Sequence, residues 1–265
     1  MDAMSTPSSP RRVAIIQARM SSSRFPGKVL EPLMGLPMIA FMARRVQQAR
    51  RVDQVLVATS TDPSDDALAQ ALQTHGLACV RGSLNDVLDR FHQAATSAQA
   101  DHVVRLTGDC PLIDADLIDR ALSLLAESGA DYASNINPPS YPDGLDVEAF
   151  TMAALRGAWT NAKLPSEREH VTLYLRAGHA HVRTAGWSGM ADLSALRWTV
   201  DHADDLAHVK SLLAGAGAAS VTGFDRFDLY RGIECAGLST GAGHHRNEGL
   251  AQSLAAEAAG LTLNP

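Results

Sequence analysis

The stretch AIIQARMSSSRFPGKVL, Ala14 to Leu30, decides how the chain is read. The apolar run Val13 to Ile16, closed by Gln17, is short and rich in β-branched residues, which predicts a buried strand. The strand runs into a loop with three serines, Gly27 and the cations Arg19, Arg24 and Lys28. A triphosphate needs a backbone it can approach closely, and guanidinium and ammonium groups to offset its charge. This loop supplies both. It is not a P-loop, because Gly-x-x-x-x-Gly-Lys-Ser/Thr is absent and Lys28 is followed by Val29. By composition alone it would serve equally as a solvated basic turn.

Outward from this loop, short β-branched runs alternate with segments of helical period, which predicts βαβ units and a mainly parallel sheet. Strands are expected over Gln54–Thr59, Ala78–Arg81 and His102–Leu106. Helices are expected from Pro37 to about Arg50, Ser64 to about Thr74, about Asn85 to Ala98, and Leu117 to Glu127. The fourth strand ends in Thr107-Gly108-Asp109-Cys110-Pro111, so Asp109 falls just beyond a strand's carboxyl end, where open α/β sheets bind ligands. The regularity then weakens, and an inserted lobe is expected over about 135–190. It would hold a strand at Leu145–Phe150, helices over Met152–Ala162 and Arg168–Ala177, and a strand at Val182–Ala185. A strand at Leu196–Val200 and a helix His202–Ala214 follow, with Asp201 between them.

The 265 residues read as a disordered lead-in over 1–11, one domain over 12–236 and a tail over 237–265 with a helical end. At 46% hydrophobic and 20% charged residues, the chain lies far from disordered compositions. A formal charge of −6 leaves no basic footprint for nucleic acid or an anionic membrane, so any anionic ligand must meet a local cluster. Gln17 and Arg19 cut the first apolar run far short of a signal or membrane span, and a cytoplasmic location is expected. Cys79, Cys110 and Cys235 are odd in number and widely separated, which fits neither a disulfide framework nor a zinc pattern. Cys110 reads as a small buried side chain, and His244 and His245 as a solvated pair.

The loop resembles the Ala-Arg-x-x-Ser-x-Arg-x-Pro-Gly-Lys signature of sugar cytidylyltransferases, in the group related to spore-coat polysaccharide biosynthesis protein F. Six further segments are similar to the same group, in order: VLVATSTDPSDD (55–66), RGSLNDVLDRF (81–91), VVRLTGDCPLID (103–114), YPDGLDVEAF (141–150), RWTVDHADDL (197–206) and HRNEGLAQSL (245–254). The resemblance implies a Rossmann-like nucleotide-diphospho-sugar transferase fold with a mixed, mostly parallel sheet. It also implies transfer of CMP from CTP to a sugar or sugar-like acid, with pyrophosphate leaving, for surface glycan biosynthesis. The related enzymes activate 3-deoxy-manno-octulosonate and sialic acids, and dimerisation is usual among them. By resemblance, Mg2+ is held by Asp109 and Asp201. The nucleotide meets Ala18, Arg19, Arg24, Lys28, Thr59, Arg81 and Asp109, with Arg19, Lys28 and Asp109 as the catalytic set.

The chemistry of the residues agrees. Nucleotidyl transfer needs an in-line oxygen nucleophile and a hard cation with carboxylate ligands, so Asp109 and Asp201 are suitable although 92 positions apart. Each would otherwise serve as a turn or cap residue. For the acceptor, Pro138, Pro139, Pro142 and Gly144 break the βα rhythm, and Asp143, Asp146 and Glu148 suit hydroxyls better than a triphosphate. A strand there would turn Asp146 and Glu148 to one face and Leu145 and Val147 to the core. An acidic acceptor also needs a cation, for which Arg168 or His170 is the candidate. Two alternatives stay open: a uridylyl- or guanylyltransferase acting on a sugar 1-phosphate, and a nucleotide-binding protein without turnover.

Overall fold

The computed structural model describes residues 9–237, 246 and 248–260. Most of the lead-in, His244, His245 and the side chain of Cys235 lie outside the described residues. The first half runs β1 (Arg12–Gln17), a small antiparallel pair β2 (Pro32–Leu33) and β3 (Leu36–Pro37), α1 (Met38–Val46), β4 (Gln54–Ser60), α2 (Asp66–Thr74), β5 (Ala78–Gly82), α3 (Val87–Ser97), β6 (His102–Thr107) and α4 (Ala115–Ser128). The second half adds β7 (Tyr132–Ser134), β8 (Glu148–Thr151), α5 (Met152–Asn161), α6 (Pro165–Glu169), α7 (Leu173–Arg176), β9 (Thr184–Gly186), α8 (Ala203–Gly215), α9 (Arg226–Ala236) and α10 (Glu248–Ala258).

A strand that is apolar on both faces belongs inside a sheet covered by helices on both sides. β1 is such a strand, and it lies third in a seven-stranded sheet of order β5-β4-β1-β6-β8-β7-β9. β5, β4, β1 and β6 are parallel, β8 is antiparallel to β6 and to β7, and β9 is parallel to β7. The sheet is therefore mixed and mostly parallel, an α/β fold as the alternation predicts. Alternate residues of β1 enter two cores: Ala14 and Ile16 meet Phe41 of α1 and Ile118 of α4, while Val13 and Ile15 meet Phe91 of α3 and Leu155 of α5. Burying each of the larger of these side chains contributes about 1.5–3 kcal/mol, so the sheet is clamped from both faces.

This topology makes the crevice. The chain leaves β1 toward β4 and β5, then crosses back to lay β6 on the other side of β1. The carboxyl ends of β1 and β6 thus border a switch point, where loops diverge and leave room for a ligand. Because β8 runs the opposite way, the segment that leads into it, 143–147, arrives at the same edge.

Several segments differ from expectation, among them the strand expected over Leu145–Phe150, which is Glu148–Thr151 and leaves Asp146 in the segment before it. In place of one helix over 168–177 there are two short ones, α6 and α7, separated where Val171 takes φ +55°, outside the right-handed helix. Leu196–Val200 is extended but pairs through a single bridge, Asp143 with Arg197, since its neighbours are loops rather than strands. The helix α9 carries weak apolar periodicity. Its readable signal is the cap at Asp225, which accepts from Phe227 N and Asp228 N while Asp228 returns a bond to Asp225 N.

Candidate active site

The loop after β1 is shaped from below by Asp65, a fully buried carboxylate. It accepts from Met20 N at 2.6 Å and from Ser60 N at 3.1 Å, so the end of β4 and the phosphate-type loop share one anchor. Met20 O then accepts from Ser22 N and Gly27 N, both at 2.9 Å, folding the loop back on itself. Gly27 makes that return at φ +76°, where glycine alone is unstrained. The consequence is that Lys28 points inward. Its Nζ donates to Val200 O at 2.7 Å and to Asp201 Oδ1 at 2.9 Å, and lies 3.7 Å from Asp109 Oδ2.

Asp109 reaches this point because Gly108 lets β6 press against β1. Gly108 N donates to Gln17 O at 2.8 Å, and a Cβ at Gly108 would lie 2.9 Å from that same oxygen. Asp109 O in turn accepts from Val200 N at 2.8 Å and Thr199 Oγ1 at 3.2 Å, which fixes Asp201 alongside. The two carboxylates the sequence offers as metal ligands are thus brought to one ammonium group. Asp201 also binds Arg24 Nη2 at 2.8 Å and Arg197 Nη2 at 2.9 Å. Burial would raise its pKa, but the charges and hydrogen bonds of Lys28 and Arg24 hold it well below the usual carboxylate range.

Arg19 is half-buried, its charge acts on Arg90, and among the described residues its side chain forms no hydrogen bond or ion pair. Ala18 is buried, its N donating to Ala58 O. Thr59 is fully buried with Oγ1 unpartnered among the described residues. Arg81 lies across β4, donating to Ser60 O at 2.7 Å and to Asp66 Oδ1 at 2.7 Å. Cys110 is buried, Sγ 3.3 Å from Asp109 Oδ1, and burial pushes its thiol up, which keeps it protonated and inert.

Among the described residues no group of three or more His, Cys, Asp and Glu side chains is arranged around a metal position. Asp109 and Asp201 do fit a hard divalent cation of another kind. Magnesium commonly takes one or two carboxylates and completes its shell with water and substrate phosphates. The place between these two carboxylates already accommodates a positive charge, that of Lys28.

Of the residues expected to meet an acceptor, Asp143 Oδ2 meets Arg197 Nη1 at 3.0 Å, and Asp146 pairs with Arg246. Burial pushes Asp143 up to about 6 and Asp146 up to about 7, against the opposing charges of those arginines. Glu148 is not available in the same way: only 4% exposed, it accepts from Tyr132 Oη and Thr172 Oγ1 at 2.6 Å each and from Arg105. Leu145 and Val147 are buried. Arg168 Nε lies 3.0 Å from both oxygens of Asp86, away from this cluster, and His170 Nε2 lies 2.9 Å from Ser253 Oγ. Sequence reasoning passes over Asp65, Arg197 and Arg246. Asp65 has no local signal separating it from Asp62 and Asp66. Arg197 carries one, since its partners Asp201 and Asp205 recur at four-residue spacing.

Residues 13–204 match the cytidylyltransferase family. The chain is 34% identical over 209 residues to the spore coat polysaccharide biosynthesis protein SpsF of Bacillus subtilis, covering 77% of this chain and 86% of that protein. It is 32% identical over 247 residues to the 3-deoxy-manno-octulosonate cytidylyltransferase of Anaeromyxobacter dehalogenans, covering 78% of this chain and all of that protein. Among solved structures, a cytidylyltransferase from Leptospira borgpetersenii superposes with a TM-score of 0.83 at 30% identity, covering 89% of this chain and all of the other.

Proposed function

The chain belongs to the cytidylyltransferase family and is a nucleotidyltransferase, and on that premise we propose that it transfers CMP from CTP to a sugar acid, releasing pyrophosphate. The observation that carries this reading is the convergence of Lys28, Asp109 and Asp201 at the carboxyl ends of β1 and β6. Arg19, Arg24 and Lys28 bind the β and γ phosphates. For Arg24 and Lys28 this means exchanging Asp201 for phosphate oxygens, which a charged ligand favours because the guanidinium and ammonium lose no counter-charge. Ala18 offers its backbone, and Thr59 and Arg81 flank the nucleoside. Asp109 and Asp201 hold Mg2+, which when bound supplies charge neutralisation at the α-phosphate. Asp143 and Asp146 receive acceptor hydroxyls, placing one oxygen in line with the departing pyrophosphate. The rate then comes from positioning and electrostatics, without a covalent intermediate.

A role in surface glycan biosynthesis follows from the acceptor class, and we place the protein in the cytoplasm, where CTP is made. Among the described residues no helix is long and apolar enough to cross a membrane. The test is pyrophosphate release with each of CTP, UTP, GTP and ATP against a panel of sugar acids and sugar 1-phosphates, with Mg2+. The expected result is turnover with CTP and a sugar acid, giving a product of nucleoside monophosphate sugar mass. Turnover confined to sugar 1-phosphates, giving a nucleoside diphosphate sugar, would overturn it.

A further inference from the structure

An acidic acceptor brought beside Asp143 and Asp146 enters a place lined by carboxyls, so the site needs a cation to receive the incoming carboxylate. The two cations that the sequence singles out for this, Arg168 and His170, are engaged elsewhere. Arg168 Nε bonds both oxygens of Asp86, and its Nη1 donates to Trp159 O at 2.8 Å. His170 is held by burial down to about 4, so its ring is neutral at physiological pH.

Arg246 enters the same cluster from the far end of the chain. Its Nη1 donates to Tyr141 O at 3.0 Å and its Nη2 to Asp146, and its charge also acts on Asp143. A guanidinium accepts a carboxylate best through two parallel N–H bonds. Asp146 takes only one, a backbone carbonyl takes the second, and among the described residues Nε donates to nothing. The side chain is only 16% exposed, so the guanidinium is largely withdrawn from bulk water beside Tyr141 and Asp146.

The charges also form a series. Asp201 pairs with Arg197, Arg197 with Asp143, and Arg246 lies between Asp143 and Asp146. Signs therefore alternate along this series, and Arg246 is its last cation, beside Asp146. The helix α10 that follows it is pinned to α6, Ser253 Oγ donating to Glu169 Oε2 at 2.8 Å and meeting His170 Nε2 at 2.9 Å. This docking holds Arg246 in place.

We propose that Arg246 binds the acceptor's carboxylate, so that the C-terminal segment selects acidic over neutral acceptors. The inference rests on the transferase reading above. It is tested with CTP and Mg2+ saturating, using 3-deoxy-manno-octulosonate, N-acetylneuraminate and the methyl ester of each, and reading pyrophosphate. R246Q is expected to raise the KM for the acid at least ~10-fold with a smaller change in kcat, and to abolish the preference for acid over ester. R246K should restore part of that preference, and CTP affinity by calorimetry should stay within about twofold of wild type in both.

A purely neutralising role of Arg246 at Asp146 is the competing account, and the double variant R246Q/D146N separates the two. It removes the uncompensated carboxylate, and the acid-to-ester ratio is expected to stay lost. Recovery of the wild-type ratio in the double variant, or its retention in R246Q, overturns the inference alone. A wild-type chain that binds CTP yet uses no acid in the panel overturns the acid-acceptor reading and the inference with it.

Discussion

Lys28 and Asp201, 173 positions apart, meet in an ion pair of 2.9 Å at the mouth of the β1–β6 crevice. The pair joins the first loop of the chain to the segment before α8, and Lys28 Nζ also lies 3.7 Å from Asp109. In the absence of nucleotide, the ammonium neutralises the two carboxylates that would otherwise repel. On the proposed function, the same ammonium turns to a phosphate when the nucleotide binds. Lys28→Ala is therefore expected to cut kcat/KM at least ~100-fold, the scale of losing one strong electrostatic contact at the transition state. Steady-state pyrophosphate release checks it, and unchanged turnover with unchanged CTP affinity would reduce the loop to a basic surface turn.

The acceptor-side carboxyls give the site a pH signature. Burial raises Asp143 to about 6 and Asp146 to about 7. An acid whose folded pKa exceeds its unfolded value, near 4, holds its proton more tightly when folded. Its contribution to stability is full below about pH 4 and lost as pH rises through the folded value. Asp201 has the opposite sign, its contribution being present above about pH 4 and lost as pH falls further. Between pH 5 and 8 these carboxyls act against His92, His102, His170 and His208, whose lowered values add stability as pH rises, so the signature is read as a difference between variant and wild type. Asp146→Asn removes one of the carboxyls, and its Tm relative to the wild type's is expected to rise from pH 5 to pH 8, by roughly 3 °C per kcal/mol relieved. Equal slopes in a thermal-melt series at the two pH values would refute the assignment.

Arg168 makes a contrasting case. Its bonds to Asp86 and to Trp159 O tie α6 to the start of α3 and the end of α5. Arg168→Ala leaves the Asp86 carboxylate without its guanidinium, although Asp86 still caps α3 through Asp89 N. The expected cost is about 1–3 kcal/mol of stability, with the KM for acceptor within about twofold of wild type. A selective rise in acceptor KM at unchanged Tm would return Arg168 to the acceptor site.

What the sequence makes legible follows from where the physics is local. The alternation that places β1, β4, β5 and β6 depends on period and length, and Asp109 is found because a strand end next to Gly-Asp is a local feature. Arg246 is different, since nothing within ten residues of it reveals that Tyr141 and Asp146 will be its partners. Glu148 shows the same limit from the other side. Its spacing from Asp146 suggests a shared face, yet Tyr132, Thr172 and Arg105, from three separate segments, close around it. The break at Val171 is equally invisible to periodicity, because a positive φ in a β-branched residue is imposed by tertiary packing.

The last prediction concerns Gly108, where fold and site depend on one missing methyl group. Its backbone N–H bonds Gln17 O at 2.8 Å, extending the β1–β6 ladder past Thr107 and setting the height at which Asp109 emerges. A Cβ there would lie 2.9 Å from Gln17 O and 3.0 Å from the Ala18 Cβ. Both are close to the backbone of the central strand, so neither can swing aside as a flexible side chain would. Gly108→Ala must therefore push β6 away from β1 or bend the turn that carries Asp109. Overpacking of this kind costs about 1–3 kcal/mol. The displacement also falls on Ala18, which opens the phosphate-type loop, and on Asp109 O, which holds Val200 and Thr199. CTP affinity is expected to drop at least ~10-fold, because a misplacement on the ångström scale is enough to spoil preorganised charge contacts. Thermal melting and CTP calorimetry on the same sample separate the outcomes. A lower Tm with wild-type CTP affinity would show that the turn absorbs the strain away from the site, and would detach Asp109 from the nucleotide.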